Sequence, residues 1–329
     1  MVNESPQPAP EVNARQVLLL VLVLIALAGA GFWYLRSTFL QQNTLLQLEI
    51  ADLYQASSRG SAAVRMLDQA APRLRDPELL ARAGELYRRS GAYQKAVDTL
   101  ERSLAARPDH VNTLLRLARS LHQAKQYPQA IAQYEKLVQL QPENSLFLKE
   151  LARSYRANGE HQQALSRLQQ VIELDPTDLQ AYLTQGKIYR ELRQWDRSIA
   201  AYRQALQVSP DDYRIYMAMG QVYMEKRDYR SAREQFEAAA QVRPSLAEAY
   251  YMAAETYIGE GNFEQALPLY EKTLEVDENY AAAYAGLGKA YAARGDCTQA
   301  SQYFHQALSF NPNDWDVNQG LKNCTEMLQ

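Results

Sequence analysis

The chain has 329 residues, 47% of them hydrophobic and 22% charged, with a formal net charge of −3. That balance is ordinary for a folded protein and gives no reason to expect a nucleic-acid partner. The two cysteines, Cys297 and Cys324, form neither a disulfide framework nor a C-x-x-C pair, and they leave the redox compartment open. Charge is unevenly spread: basic residues are in excess up to about residue 214, and acidic residues dominate after it. Such asymmetry marks different surfaces for different partners.

Residues 1–16 are polar and proline-rich and read as a disordered tail. Residues 17–35, VLLLVLVLIALAGAGFWYL, carry no charge. At ~1.5 Å rise per residue this run nearly crosses a ~30 Å hydrocarbon core, so a single transmembrane helix is expected. Phe32, Trp33 and Tyr34 sit where aromatic rings favour the membrane interface. The competing reading is a cleaved signal peptide, with Ala26-Leu27-Ala28 as the cut site. The apolar run continues past that cut into Leu35, which favours an uncleaved anchor. Arg15 and Arg36 balance each other across the segment, so the side of the membrane taken by the remainder stays open.

Residues 36–76 read as a connecting helix leading into a worn first repeat. In that copy Ala51, Tyr54, Ala63 and Leu67 hold the key positions. From 77 onward the repeat is plain. Pro108, Pro142, Pro176, Pro210 and Pro244 recur every 34 residues, Glu278 interrupts the series, and Pro312 resumes it. Seven copies run 77–110, 111–144, 145–178, 179–212, 213–246, 247–280 and 281–314. Residues 315–329 have helical apolar spacing (Val317, Leu321, Cys324, Leu328) and are expected to close the last exposed apolar face, as end units of an array must.

Within a copy, positions 4, 7, 8 and 11 form one helical stripe and positions 20, 24, 27 and 28 another. Position 15 between them is Gly91, Gly159, Gly261 and Gly295, or Lys125, Arg193 and Arg227. Glycine there suits a helix end that needs positive φ. Each copy is therefore predicted to be a helix–turn–helix. Position 8 is always Gly or Ala, and position 20 is Ala or Ser198. Side chains this small let two helices approach closely. Position 11 (Tyr87, Leu121, Tyr155 and later tyrosines) and position 24 (Leu100, Tyr134, Leu168, Tyr202, Phe236, Tyr270, Phe304) supply bulk around them and are core residues.

This large-Leu-Gly-Tyr, Ala-Phe-Ala-Pro pattern resembles the tetratricopeptide repeat family over 77–314, and weakly over 44–76. The resemblance implies an all-α fold, a right-handed superhelical solenoid of helix–turn–helix repeats, here preceded by the single N-terminal transmembrane helix. It also implies a concave groove, lined by the first helix of each pair, that binds a peptide or protein. The family pattern places positions 2, 5, 9, 12 and 13 on that face. There the first copies carry a basic ladder: Arg88, Arg119, Lys149, Arg153, Arg156, Lys187 and Arg190. The later copies turn apolar and acidic, with Met217, Met224, Tyr251, Glu255 and Ile258. The functional reading is that the ladder grips an acidic segment of a partner while the Met and Tyr section takes apolar anchors. The bland reading is a row of solvated charges on exposed helices. The carboxylate-clamp pattern of chaperone-binding members is not met, because Arg153 stands where that pattern needs Asn.

Copy 247–280 departs most from the pattern. Pro268 falls inside its second helix, and a bend or soft joint is expected near 263–280. No phosphate-binding loop, catalytic motif or metal-spaced Cys/His cluster is present, so no enzyme activity, cofactor or metal is expected. The expectation is a membrane-anchored scaffold that binds a protein partner, with no nucleic acid and an open oligomeric state. Alternatives are a self-associating structural repeat protein or a non-catalytic subunit of an enzyme complex.

Overall fold

A computed structural model describes residues 44–328. The polar tail, the expected membrane helix at 17–35 and the first part of the connecting segment lie outside the described residues. Among those described, no helix is long and apolar enough to cross a membrane.

The described residues form seventeen α-helices, one short 3-10 turn at Ala71–Arg73 and no strand. They divide into two compact units, one up to residue 147 and the other from residue 148. The first unit holds α1 (Thr44–Ala56), α2 (Gly60–Ala70), α3 (Pro77–Arg89), α4 (Tyr93–Leu104), α5 (Val111–Gln123) and α6 (Tyr127–Leu140). The division falls inside α7 (Ser145–Ala157). The second unit continues with α8 (His161–Leu174), α9 (Leu179–Glu191), α10 (Trp195–Val208), α11 (Tyr213–Glu225) and α12 (Tyr229–Val242). It ends with α13 (Ala247–Gly259), α14 (Phe263–Val276), α15 (Ala281–Ala293), α16 (Cys297–Phe310) and α17 (Trp315–Met327). Each 34-residue copy is thus one helix pair. In the worn first copy, Ala51, Ala63 and Leu67 are fully buried between α1 and α2.

The turn inside each pair follows from hydrogen bonding. After α3, the Gly91 N–H donates to the Arg88 carbonyl at 3.1 Å and the Ala92 N–H to the Tyr87 carbonyl at 2.9 Å. This double bond satisfies two carbonyls that the helix end would otherwise orphan, and it requires a left-handed residue between them. Gly91 supplies it with φ 79°. The same turn recurs with Lys125, Arg193 and Arg227 at φ 61°, 56° and 61°. A side chain in that region costs ~1–2 kcal/mol, partly offset because glycine loses more backbone entropy on folding. Arg193→Gly is therefore expected to stabilise the chain by about 0.5–1 kcal/mol. A rise in urea midpoint at unchanged slope would register the gain.

The small positions work by receiving a large side chain rather than by bringing two backbones together alone. A Cβ on Gly186 would lie 2.6 Å from the Tyr202 ring, and one on Gly220 would lie 2.5 Å from Phe236. In the copies with glycine at position 8, position 24 of the second helix is thereby keyed into position 8 of its own first helix. Asp76, Asp178, Asp212 and Asp314 start the following helices by accepting from backbone N–H groups in the first turn.

α14 runs unbroken through Pro268, whose ring is exposed. The proline removes one backbone hydrogen bond on the exposed side of the helix. At the C-terminal end α17 buries Val317 and Cys324, while Leu328 is 57% exposed and takes no part in that face.

Candidate functional site

Each unit is described separately. In the second unit, the cations at position 12 do not stand free. Arg156 on α7 grips Glu191 at position 13 of α9, with Nε 3.0 Å from Oε2. Arg190 on α9 repeats the move one copy later, donating to Gln221 at 2.9 Å and lying 3.8 Å from Glu225 on α11. The Arg156 hydrogen bond holds the Glu191 carboxyl below its ordinary range, and Glu191 in turn raises Arg156. Both directions favour the ion pair. Its contribution is present above the ordinary glutamate value and is lost as pH falls through the depressed one. Lys149, at position 5 of α7, reaches Asp178 at 2.5 Å. Asp178 is also the cap of α9, accepting from the Ala181 N–H at 2.9 Å. These cations therefore stitch one repeat to the next.

Position 9 behaves differently. Arg153 on α7 has 64% of its side chain exposed and makes a loose 3.6 Å ion pair with Glu150 on its own helix. Lys187, at position 9 of α9, is exposed. Both charges face solvent on the same register as the stitched ones.

Within reach of the stitched charges lies Tyr202 on α10. It is fully buried, its hydroxyl has no hydrogen-bond partner, and burial pushes the phenol up to about 12. The charges of Arg190, Arg156, Glu191 and Glu225 act on it.

Further along the second unit, the two remaining candidates separate. Met217 is 7% exposed and belongs to the core with Ile215, Val222 and Phe236. It does not line a surface, because its helix turns that position inward. Tyr251 on α13 is half-buried, with its ring 5.2 Å from Tyr280 and 5.8 Å from Tyr270. The Tyr270 hydroxyl donates to Glu255 at 2.5 Å.

In the first unit, Arg88 is held by Glu85 at 2.6 Å on its own helix and donates to Gln123 on α5 at 3.2 Å. Gln123 sits at position 13, so the same stitch operates with a neutral acceptor. Arg119 is half-buried on α5. Beside them lies a cleft of about 490 Å³ whose walls include Arg82, Arg89, Arg107 and Arg116 together with Glu78 and Glu85. Arg107 pairs with Glu78 at 2.9 Å, and Arg116 donates to the Ala81 carbonyl at 3.3 Å. Arg89 stands at position 13, one of the concave-face positions, and Arg82 and Arg116 stand at position 6 of successive first helices; none of the four belongs to the ladder. Three of them lie on the first helices α3 and α5, and Arg107, in the loop after α4, completes the group by pairing with Glu78 of α3, a contact that a reading along first helices does not reveal.

What this arrangement offers chemically is a row of planar and point donors, most of them already answered by carboxylates, with accessible charge left at position 9. Among the described residues no group of three or more His, Cys, Asp or Glu could hold a metal.

Comparison with known proteins bears on the fold. Family models for tetratricopeptide repeats match residues 76–143 and 211–279 and residues 257–324. A model described as TPR repeat matches 186–227, and one described as YpiA-like, C-terminal tetratricopeptide repeats matches 114–178. No curated protein matches in sequence. Among solved structures, the C-terminal part of a TPR repeat-containing protein from Cytophaga hutchinsonii is similar at 18% identity and TM-score 0.62, covering 73% of this chain and 99% of its own. A tetratricopeptide repeat protein from Parabacteroides merdae is similar at 19% identity and TM-score 0.52, covering 76% of this chain and 98% of its own. At such identities the likeness speaks to the fold alone. Fold, turn chemistry and family matches agree, and the chain belongs to the tetratricopeptide repeat family.

Proposed function

We propose that the protein is an interaction scaffold, held at a membrane by residues 17–35, whose first-helix face binds an acidic segment of a partner protein. The observation that carries this reading is the split within the ladder. Position 12 cations and Lys149 are engaged between repeats, whereas Arg153 and Lys187 present exposed charge on successive first helices. Arginine and lysine on a rigid helical support are suited to carboxylates of an extended segment. Tethering at a bilayer would raise the effective concentration of such a partner.

The split also makes the test specific. Arg153→Glu with Lys187→Glu is expected to leave helical content and urea midpoint nearly unchanged, since exposed charges contribute ~0–1 kcal/mol. The same double variant is expected to lose the proteins captured by crosslinking in intact membranes. Arg156→Glu should instead lower stability by placing two carboxylates together at Glu191. Unchanged crosslinked partners with a folded double variant would remove position 9 from the binding site. Release of full-length protein from membranes by carbonate would refute the anchor.

A further inference from the structure

The two cysteines lie far apart in sequence, yet the structure brings their sulfurs to 2.6 Å. Cys297 opens α16, and Cys324 sits near the end of α17, with exposures of 3% and 2%. They pack with Ala300, Phe304, Ala307 and Val317. Cys297 breaks the repeat register at the point where they meet, and Cys324 occupies a varied small or apolar position. Position 17 is an aromatic ring in every other clear copy (Tyr93, Tyr127, His161, Trp195, Tyr229, Phe263) and Cys297 in the last. The corresponding site on the next first helix is Leu86, Ser120, Ser154, Ile188, Val222, Thr256 or Ala290, and Cys324 on α17. The smaller side chain at 297 leaves room that the sulfur of Cys324 fills, with the Met327 Sδ 3.9 Å from Cys297 Sγ.

We propose that Cys297 and Cys324 form a disulfide site that fastens the terminal helix α17 to the last repeat. This goes beyond the binding face and does not depend on it. The oxidant is a disulfide such as oxidised glutathione. One cysteine thiolate attacks it, forms a mixed disulfide and expels the first thiolate. The second cysteine thiolate then attacks the protein-bound sulfur and expels the other. Two protein thiols give up two electrons and two protons, and the oxidant leaves as two thiols. Burial comes first in pushing the Cys324 thiol up to about 11, so in the closed cap it stays protonated at neutral pH. Exchange therefore runs through openings of α17, the end helix, where local unfolding is easiest. Once formed, the bond closes a loop of fewer than thirty residues and makes those openings about 10²-fold rarer.

The chain contains two cysteines, so the assay is unambiguous. Full-length protein is equilibrated with oxidised glutathione, denatured, alkylated and weighed by mass spectrometry. The expected product is a monomer that takes up no alkylating reagent and carries no glutathione. Amides of α17 should exchange about 10²-fold more slowly than in the reduced protein. That comparison uses one unaltered chain in two redox states and depends on no variant's folding. Cys324→Ser should show neither effect and should retain an alkylatable or glutathionylated Cys297. Two alkylated thiols, a glutathione adduct on each cysteine, or a disulfide-linked dimer would overturn the site. Formation of the bond with unchanged exchange in α17 would overturn its fastening role.

Discussion

Phe236→Ala is expected to lower the stability of its part of the array by about 3–5 kcal/mol, the range for emptying a large aromatic site in a core. Phe236 is fully buried at position 24 of α12. Its ring lies against Gly220, where an added Cβ would come within 2.5 Å of it, and it shares a cluster with Ile215, Met219 and Val222. The cavity sits between helices whose only neighbours are adjacent repeats, so little surrounding structure is free to collapse into it. The partner glycine gives an independent check. Gly220→Ala should cost about 1–3 kcal/mol beside Phe236, because the ring must shift. In the Phe236→Ala background the same change should be nearly neutral, the space now being empty. Urea unfolding of the four chains yields the coupling. Additive effects would show that the key-and-slot relation between positions 8 and 24 does not hold.

Glu255→Leu is expected to cost about 1–3 kcal/mol, because it leaves a buried hydroxyl without its acceptor. Tyr270 is 1% exposed and donates to Glu255, and Tyr251 feels the same carboxylate after its own burial. Adding Tyr270→Phe should recover most of the loss, since removing both partners of a buried bond is close to neutral. A double variant as unstable as Glu255→Leu alone would mean that the carboxylate acts through something other than Tyr270. The pair also predicts a pH dependence. Burial first, and the Glu255 charge second, raise the Tyr270 and Tyr251 phenols above their ordinary value. The unfolded chain then releases these protons first. Stability is fully present below about 10, the ordinary tyrosine value, and falls as pH rises past it. Glu255→Leu with Tyr270→Phe should flatten that alkaline decline.

Much of the repeat was legible because its causes are local. Position 15 needs positive φ whichever residue occupies it, and Arg193 and Gly91 end helices with the same two hydrogen bonds. Positions 8 and 24 show their sizes directly in the sequence. The binding face was less legible. Helical spacing put Arg153 and Arg156 on one side of α7, but exposure and partner separate them. Glu191 lies one repeat away from Arg156, and nothing in the spacing along α7 announces it. Met217 was read as surface because its register position is outward in the family pattern. Its long apolar side chain instead fills the core between α11 and its neighbours.

By itself the sequence determined the period, the two helices of each copy, the turn between them and the small and large core positions. All of these depend on residues within one 34-residue unit and on backbone chemistry that acts over a few residues. The tertiary structure alone decided which cations remain accessible, how four arginines gather in one cleft and that Cys297 meets Cys324. Each of these is a contact between helices, where the angle and distance of packing, not the order of residues, choose the partner.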